Sequence, residues 1–303
     1  MDSIFPPNER GFNVIKTYIN TRQRGIGLLL IFISLLGFGF MQVFVSLTGE
    51  RIGVMEQTFF RNLIGFFVVG AIAIRKKVPL LGTRSQQLPL FGRSLSGFFA
   101  VIALFYALRH AAQADVTIVS RLTLFTVMLT SALLFHEKLT KLHVLAMVLA
   151  FAGAWIAVNP RLGSSLLPML SAFACAVAST VAYVLLSYFS GRISSLTVVM
   201  HFCTVSTLAS VPLMWRQFVM PTGWDLFCLL MIGTGAAVGQ VSMTYAYRFM
   251  PAGELNIYNQ LSILLNAFMA YVFLGQEPGS RTVVGGLLTL AASFLLFYFK
   301  KKE

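Results

Sequence analysis

Ten long apolar runs, separated by short breaks, restrict this chain to one kind of fold. They lie near residues 25–47, 54–74, 93–110, 115–135, 142–158, 166–188, 196–214, 224–247, 252–274 and 281–299. Most have the length a helix needs to cross a hydrocarbon core of about 30 Å, given a rise of about 1.5 Å per residue. Lipid offers no hydrogen-bond partner to a backbone N–H or C=O, so each crossing must satisfy its own peptide groups as a helix. The breaks, such as RKKVPLLGTRSQQLP, HEKLTK, NPRLG and GQEPGS, carry Pro, Gly or charge. Only 11% of the residues are charged and 57% are hydrophobic, with a mean hydropathy of +0.80. The expected fold is all-α: a polytopic membrane protein with ten transmembrane helices.

The net charge of +13 would suggest nucleic acid in a soluble protein. Here Lys and Arg sit in short connections, where they report orientation. With the N-terminus in the cytoplasm, sixteen fall on the cytoplasmic side, Arg93 among them, and five on the far side; Arg61 and Arg121 lie within segments. Both termini are therefore expected inside, which requires an even number of crossings. Trp155, Trp215 and Trp224 then all lie at far-side ends, where an aromatic belt belongs. Residues 1–24 read either as a helix on the membrane surface, with Phe12, Ile15 and Ile19 on one face, or as a disordered basic tail. The first apolar run has no small-residue cleavage site and reads as a retained helix. Residues 300–303 form a basic tail.

An internal echo sets the architecture. Adding 139 to the numbering lays Tyr106, Ala107 and Arg109 on Tyr245, Ala246 and Arg248, Asp115 on Glu254, and Ile118 and Leu122 on Ile257 and Leu261. Thr117, Ser120 and Arg121 fall on Asn256, Asn259 and Gln260. The expected repeats are residues 25–160 and 161–299, five crossings each. An odd number per repeat turns the second half upside down relative to the first, and inverted repeats place a shared site near the midplane.

Polar groups within the apolar segments are the site candidates, because hydrocarbon makes them costly unless they face a protein interior. Thr117 and Arg121 stand four apart on one helix face. Arg61 lies in the outer third of segment two, at similar depth. If the two arginines face each other, a substrate carboxylate or phosphate between them would relieve their repulsion, since guanidinium forks suit both groups. The plainer reading pairs them with Glu56, Glu50 or Asp115 as fixed structure. Asn256, Asn259 or Gln260, Ile263 and Asn266 make one face of segment nine, a hydrogen-bonding stripe or interhelical glue. Gln240 and Tyr183 are further binding candidates. Glu56 and His201 are candidates for proton coupling. Gly235 and Gly239, four apart, suit close helix packing.

Other chemistries find no support. There is no HExxH, GxSxG, P-loop or dinucleotide-binding glycine run, so neither an enzyme nor a cofactor is expected. Cys175, Cys203 and Cys228 lack metal-ligand or paired spacing and read as buried hydrophobes, so no metal site is expected. The expected partners are a small-molecule substrate and the bilayer, not nucleic acid, with the chain a monomer or homodimer.

FFRNLIG in segment two, FYALRHAAQADVTIV running into LFTVMLTSALLFHEKLT, and the weaker echo YAYRFMPAGELNIYNQ into YVFLGQE resemble the EamA-like branch of the drug/metabolite transporter superfamily. The likeness covers nearly all of the chain after residue 24. It implies ten helices in two inverted five-helix repeats and transport of small metabolites through a central cavity. Glu137 matches the family's glutamate after segment four; its counterpart falls on Gln276 or Glu277. Where the family often has a proline in segments four and nine, this chain has Thr123 and about Ser262, so the helix break lacks its usual cause. The reading favoured is a secondary transporter of the bacterial inner membrane. Its substrate would be an organic anion or a zwitterion such as an amino acid or nucleoside-like metabolite. A cation or drug exporter of the same fold and a non-transporting membrane scaffold are the alternatives.

Overall fold

The structure is a computed structural model that describes residues 21–135, 140–158, 166–189, 192–246, 249–250, 255 and 258–300. Among them it is all-helical. The helices are α1 (Thr21–Leu47), α2 (Val54–Arg75), α3 (Gln87–His110), α4 (Gln113–Ser120), α5 (Thr123–Phe135), α6 (Lys141–Val158), α7 (Leu166–Phe189), α8 (Ser195–Met214), α9 (Gly223–Ala246), α10 (Ser262–Leu274) and α11 (Ser280–Lys300). Six of these, α1–α3 and α7–α9, are long and apolar enough to cross a membrane unaided. Counting α4 with α5 as one broken segment gives five segments in each half. Residues 1–20 and Glu137, and the readings made of them, lie outside the described residues.

Segment three starts earlier than its hydropathy suggests. A turn at Arg84–Gln86 leads into α3 at Gln87, not at residue 93. The misleading signal is Pro89, which sits in the first turn, where its missing N–H would have had no helical partner anyway. Arg93 is therefore a buried residue of α3 and not a loop cation.

Segment four is not a continuous helix. Backbone bonding slips at its middle: Leu122 N–H reaches back three residues to Val119 O (3.1 Å), not four. Hydroxyls stitch the turn. Thr123 donates to Ser120 O (2.7 Å), Ser120 to Thr117 O (3.0 Å) and Thr126 to Leu122 O (3.3 Å). Such back-bonding competes with the helix ladder and bends it. Segment nine breaks at the matching place. Residues 258–260 are helical, Leu261 is a turn and α10 starts at Ser262. Leu261 is the residue onto which the 139-residue offset lays Leu122. The breaks thus occur without proline.

The pattern of helix packing is symmetric under exchange of the two halves. The main pairs are α1 with α9, α3 with α7, α2 with α8, α6 with α11, α2 with α9 and α3 with α8. Exchanging the halves turns the first pair into the second and the fifth into the sixth, and returns α2 with α8 and α6 with α11 to themselves. Close approach rests on small residues. A Cβ at Gly37 of α1 would stand 2.8 Å from Gly235 O of α9, and Ser34 donates to Gly239 O at 2.8 Å. At one end of α2 and α9, Arg51 is paired with Asp225 (2.8 Å); at the other, Lys76 bonds the Tyr245 hydroxyl and lies over its ring. The outer surface is apolar: Phe67, Leu88, Phe268 and all three tryptophans are exposed, as a lipid-facing surface requires.

Candidate functional site

The buried charge gathers between α2, α3 and α8. Phe202 of α8 is its pivot: the guanidinium of Arg93 lies 4.6 Å from the ring centroid and that of Arg61 lies 5.6 Å away. Both arginines are only 8% exposed. Arg61 Nη1 donates to Asn62 Oδ1 (2.8 Å), and Asn62 is itself fixed by donating to Thr58 O (2.8 Å). Arg61 Nε and Arg93 Nε and Nη1 have no hydrogen-bond partner among the described residues. Neither guanidinium is paired with a carboxylate there. Gln240 of α9 lines the same small space as Arg61, Phe202 and Cys203, with volume of about 10 Å³, room for about one water.

His201 adjoins this cluster. Its Nδ1 is 2.8 Å from Ser94 Oγ and its Nε2 is 3.2 Å from Gln87 Oε1. Gln87 Oε1 is an acceptor, so Nε2 carries the proton and Nδ1 accepts from the serine. Ser94 follows Arg93 on α3 and His201 precedes Phe202 on α8, so one helix contact positions both the histidine and the arginine over the ring.

The sequence leaves open whether Arg61 and Arg121 face each other; in the structure Arg61 shares the Phe202 ring with Arg93. Arg121 instead interacts electrostatically with Tyr183 and Cys175 of α7. Arg121 sits half-buried at the break between α4 and α5. Tyr183 lies within electrostatic range of both Arg93 and Arg121, and is 43% exposed. Nor do the carboxylates pair with these arginines. Glu56 is buried and accepts from Val219 N–H (3.3 Å), Asp115 accepts from the Thr282 hydroxyl (2.7 Å), and Glu50 interacts electrostatically with Arg109.

Where the two broken segments meet, the polar groups close on one another. Asn266 Nδ2 donates to Thr117 Oγ1 (3.0 Å) and to Gln42 Oε1 of α1 (3.2 Å), while the Thr117 hydroxyl donates to Gln113 O (2.8 Å). All three side chains are buried. Thr117 thus belongs to a structural triad joining the repeats. A second link caps α4: Gln113 N–H donates to Gln276 Oε1 (3.1 Å). Asn259 is buried against Met243 (3.7 Å from Nδ2 to Sδ), and Gln260 is buried with its Oε1 unpartnered among the described residues. Asn256 lies outside the described residues.

A separate cavity of about 430 Å³ lies between α2, α3 and α7. Val54, Met55, Phe99 and Ile102 line it, with Tyr106 and Ser171 its polar residues. No site candidate named from the sequence lines it.

Arg93, Phe202 and Gln42 escaped the reading of the sequence. The first was legible: accepting Pro89 as a first-turn proline places Arg93 six residues inside a helix. Phe202 and Gln42 carry no local signal, since one looks like a lipid-facing aromatic and the other like a lone amide.

Comparison with known proteins agrees with this fold. The model of the EamA-like transporter family matches residues 25–159 and again 166–298. The pseudopaline exporter CntI of Pseudomonas aeruginosa is 30% identical over 283 residues, covering 91% of this chain and 97% of that protein. The S-adenosylmethionine uptake transporter of Rickettsia prowazekii is 22% identical, covering 96% of this chain and 97% of that one. A solved crystal structure with 20% identity superposes with a TM-score of 0.68 over 91% of this chain and 98% of its own. The chain is a multi-pass membrane transporter and belongs to the EamA-like transporter family.

Proposed function

We propose that the chain is a secondary transporter of the bacterial inner membrane, with both termini cytoplasmic. It carries a small polar metabolite bearing a negative group by alternating access of two inverted repeats, residues 25–160 and 161–299. The observation that carries this reading is the pair Arg61 and Arg93 about Phe202, buried and without a carboxylate among the described residues. Two guanidiniums in low dielectric repel each other, and each is costly to bury alone. An anionic group between them relieves both costs and accepts from the unpartnered N–H groups. Gln240 is placed to bond the rest of the molecule. The relatives' names, one an exporter and one an uptake transporter, support metabolite transport without fixing its direction.

His201 is the better placed of the two proton-coupling candidates. It touches the helix contact that carries Arg93, whereas Glu56 is held by the loop at Val219. The cation-exporter alternative needs Glu56 in a cavity, and Glu56 does not line the apolar one.

The test uses purified protein in liposomes with a panel of organic anions, amino acids and organic cations, reading uptake and thermal stabilisation. Arg61→Ala and Arg93→Ala should each weaken anion binding by roughly 10-fold or more, the scale of a lost hydrogen bond to a charged group. Anion uptake that survives both substitutions, or transport confined to cations, refutes the proposal.

A further inference from the structure

We infer that the ligand held by Arg61 and Arg93 carries one negative charge and, about one helical turn away, a neutral hydrogen-bonding group. That group is a hydroxyl or a carboxamide, received by Gln57, Ser206 and Thr207 where α2 meets α8. This rests on the reading of Arg61 and Arg93 as an anion site, and it names what the rest of the ligand must be.

Gln57 and Arg61 stand four apart on α2, on one face and about 6 Å apart along its axis. Gly65 lies one turn further on. A Cβ there would stand 3.0 Å from Cys203 Sγ of α8, and one at Gly70 would stand 3.5 Å from Met200 Cε. Rising numbers on α2 thus meet falling numbers on α8, so the two helices are antiparallel. One turn back from Gly65 brings Arg61 level with Ser206 and Thr207, and Gln57 follows a turn beyond. Arg61, Gly65 and Cys203 line one space with Phe202, so this register is anchored at the anion site itself.

These polar groups are buried with nothing to bond. Gln57 and Ser206 are fully buried. Gln57 Nε2 and Oε1, Ser206 Oγ and Thr207 Oγ1 have no hydrogen-bond partner among the described residues. A hydroxyl in an apolar helix can donate to the carbonyl one turn back, and the neighbours do so. Thr204 donates to Met200 O (2.9 Å), Ser210 to Ser206 O (2.7 Å) and Thr58 to Val54 O (2.8 Å). Ser206 and Thr207 do not, nor does Gln57 bridge the helices as interhelical glue would. Buried groups without partners are costly. The cost is recovered in a state that supplies partners. α2 and α8 belong to opposite halves, and inverted-repeat transporters work by moving one half against the other. The seam that parts is therefore lined by groups ready to bond what enters. An amide that both donates and accepts, with two hydroxyls, fits a hydroxyl or a carboxamide. Having no charge, these groups balance neither a second carboxylate nor an ammonium in low dielectric.

The experiment measures thermal stabilisation of the purified full chain and competitive uptake into liposomes. The probes are monoanions paired by shape: 4-hydroxybutanoate with pentanoate, and succinamate with 4-methylpentanoate. Succinate is added as the doubly charged analogue. The polar member of each pair should bind at least about 5-fold more tightly, the scale of a hydrogen bond gained by a buried group. Succinamate should also outbind succinate. Gln57→Leu, and separately Ser206→Ala with Thr207→Val, should each cut these ratios at least about 2-fold; all three together should bring them close to one. Damage to folding lowers both members of a pair alike, so the ratio reads the bonding group alone. Equal binding within each pair by the unaltered protein, or succinate ahead of succinamate, overturns this inference and leaves the Arg61–Arg93 reading standing. Ratios that survive the substitutions do the same. If no probe binds, or binding is indifferent to Arg93→Ala, both readings fall.

Discussion

Phe202 shows how one side chain sets the chemistry of a buried site. Two arginines use its ring as a platform, at 4.6 and 5.6 Å. The ring is rigid and donates no hydrogen bond, so it steadies both cations without satisfying their N–H groups. That leaves the groups free for a ligand. Phe202→Leu removes the quadrupole and keeps a comparable apolar volume. Cation–π contacts are worth about 0.5–2 kcal/mol, more when desolvated. Anion affinity should therefore fall by about 3- to 30-fold, while the unfolding temperature in detergent moves little. A substitution that leaves affinity unaltered would show the ring to be mere packing. Arg61 announced itself in the sequence as a charge inside an apolar run; Phe202 did not, because Phe is among the commonest residues on a lipid-facing helix.

At the scale of elements, the broken segments carry the architecture. Segment four bends because Ser120, Thr123 and Thr126 bond to carbonyls of the preceding turn, and no proline is needed. Thr123 is the first residue of α5, a position where proline fits, since an N–H there has no helical partner. Thr123→Pro should change stability by less than about 1 kcal/mol and preserve transport. Leu129→Pro, in the interior of the same helix, should cost about 3 kcal/mol or more. Comparing the two variants by thermal unfolding and uptake checks this. Similar damage from both would mean that the turn at residue 122 is not a preformed break. The offset of 139 residues placed Leu122 and Leu261 opposite each other, but whether an apolar run bends depends on hydroxyls and on what faces the kink.

Over the whole molecule, parity and packing agree. Five segments per half force the halves to run oppositely, and the helix pairs map onto themselves when the halves are exchanged. Lys and Arg set the direction. With Arg93 inside α3, fifteen basic residues remain on the proposed cytoplasmic side against five beyond the membrane. A fluorescent protein fused after Glu303 should fold and fluoresce, and alkaline phosphatase fused there should be inactive. Phosphatase activity at that end would reverse the assigned orientation.

Composition and periodicity by themselves determined that the chain is helical, crosses the membrane many times and repeats itself, because lipid leaves a backbone no other way to satisfy its peptide groups. They also exposed Arg61 and Arg121 as charges at depth. Only the tertiary structure decided that Arg61 meets Arg93 and not Arg121, and that Thr117 closes a triad with Gln42 and Asn266. Hydropathy records how deep a residue lies along its own helix; which neighbour it meets depends on helix rotation and crossing, and these are set by contacts between residues far apart in the chain.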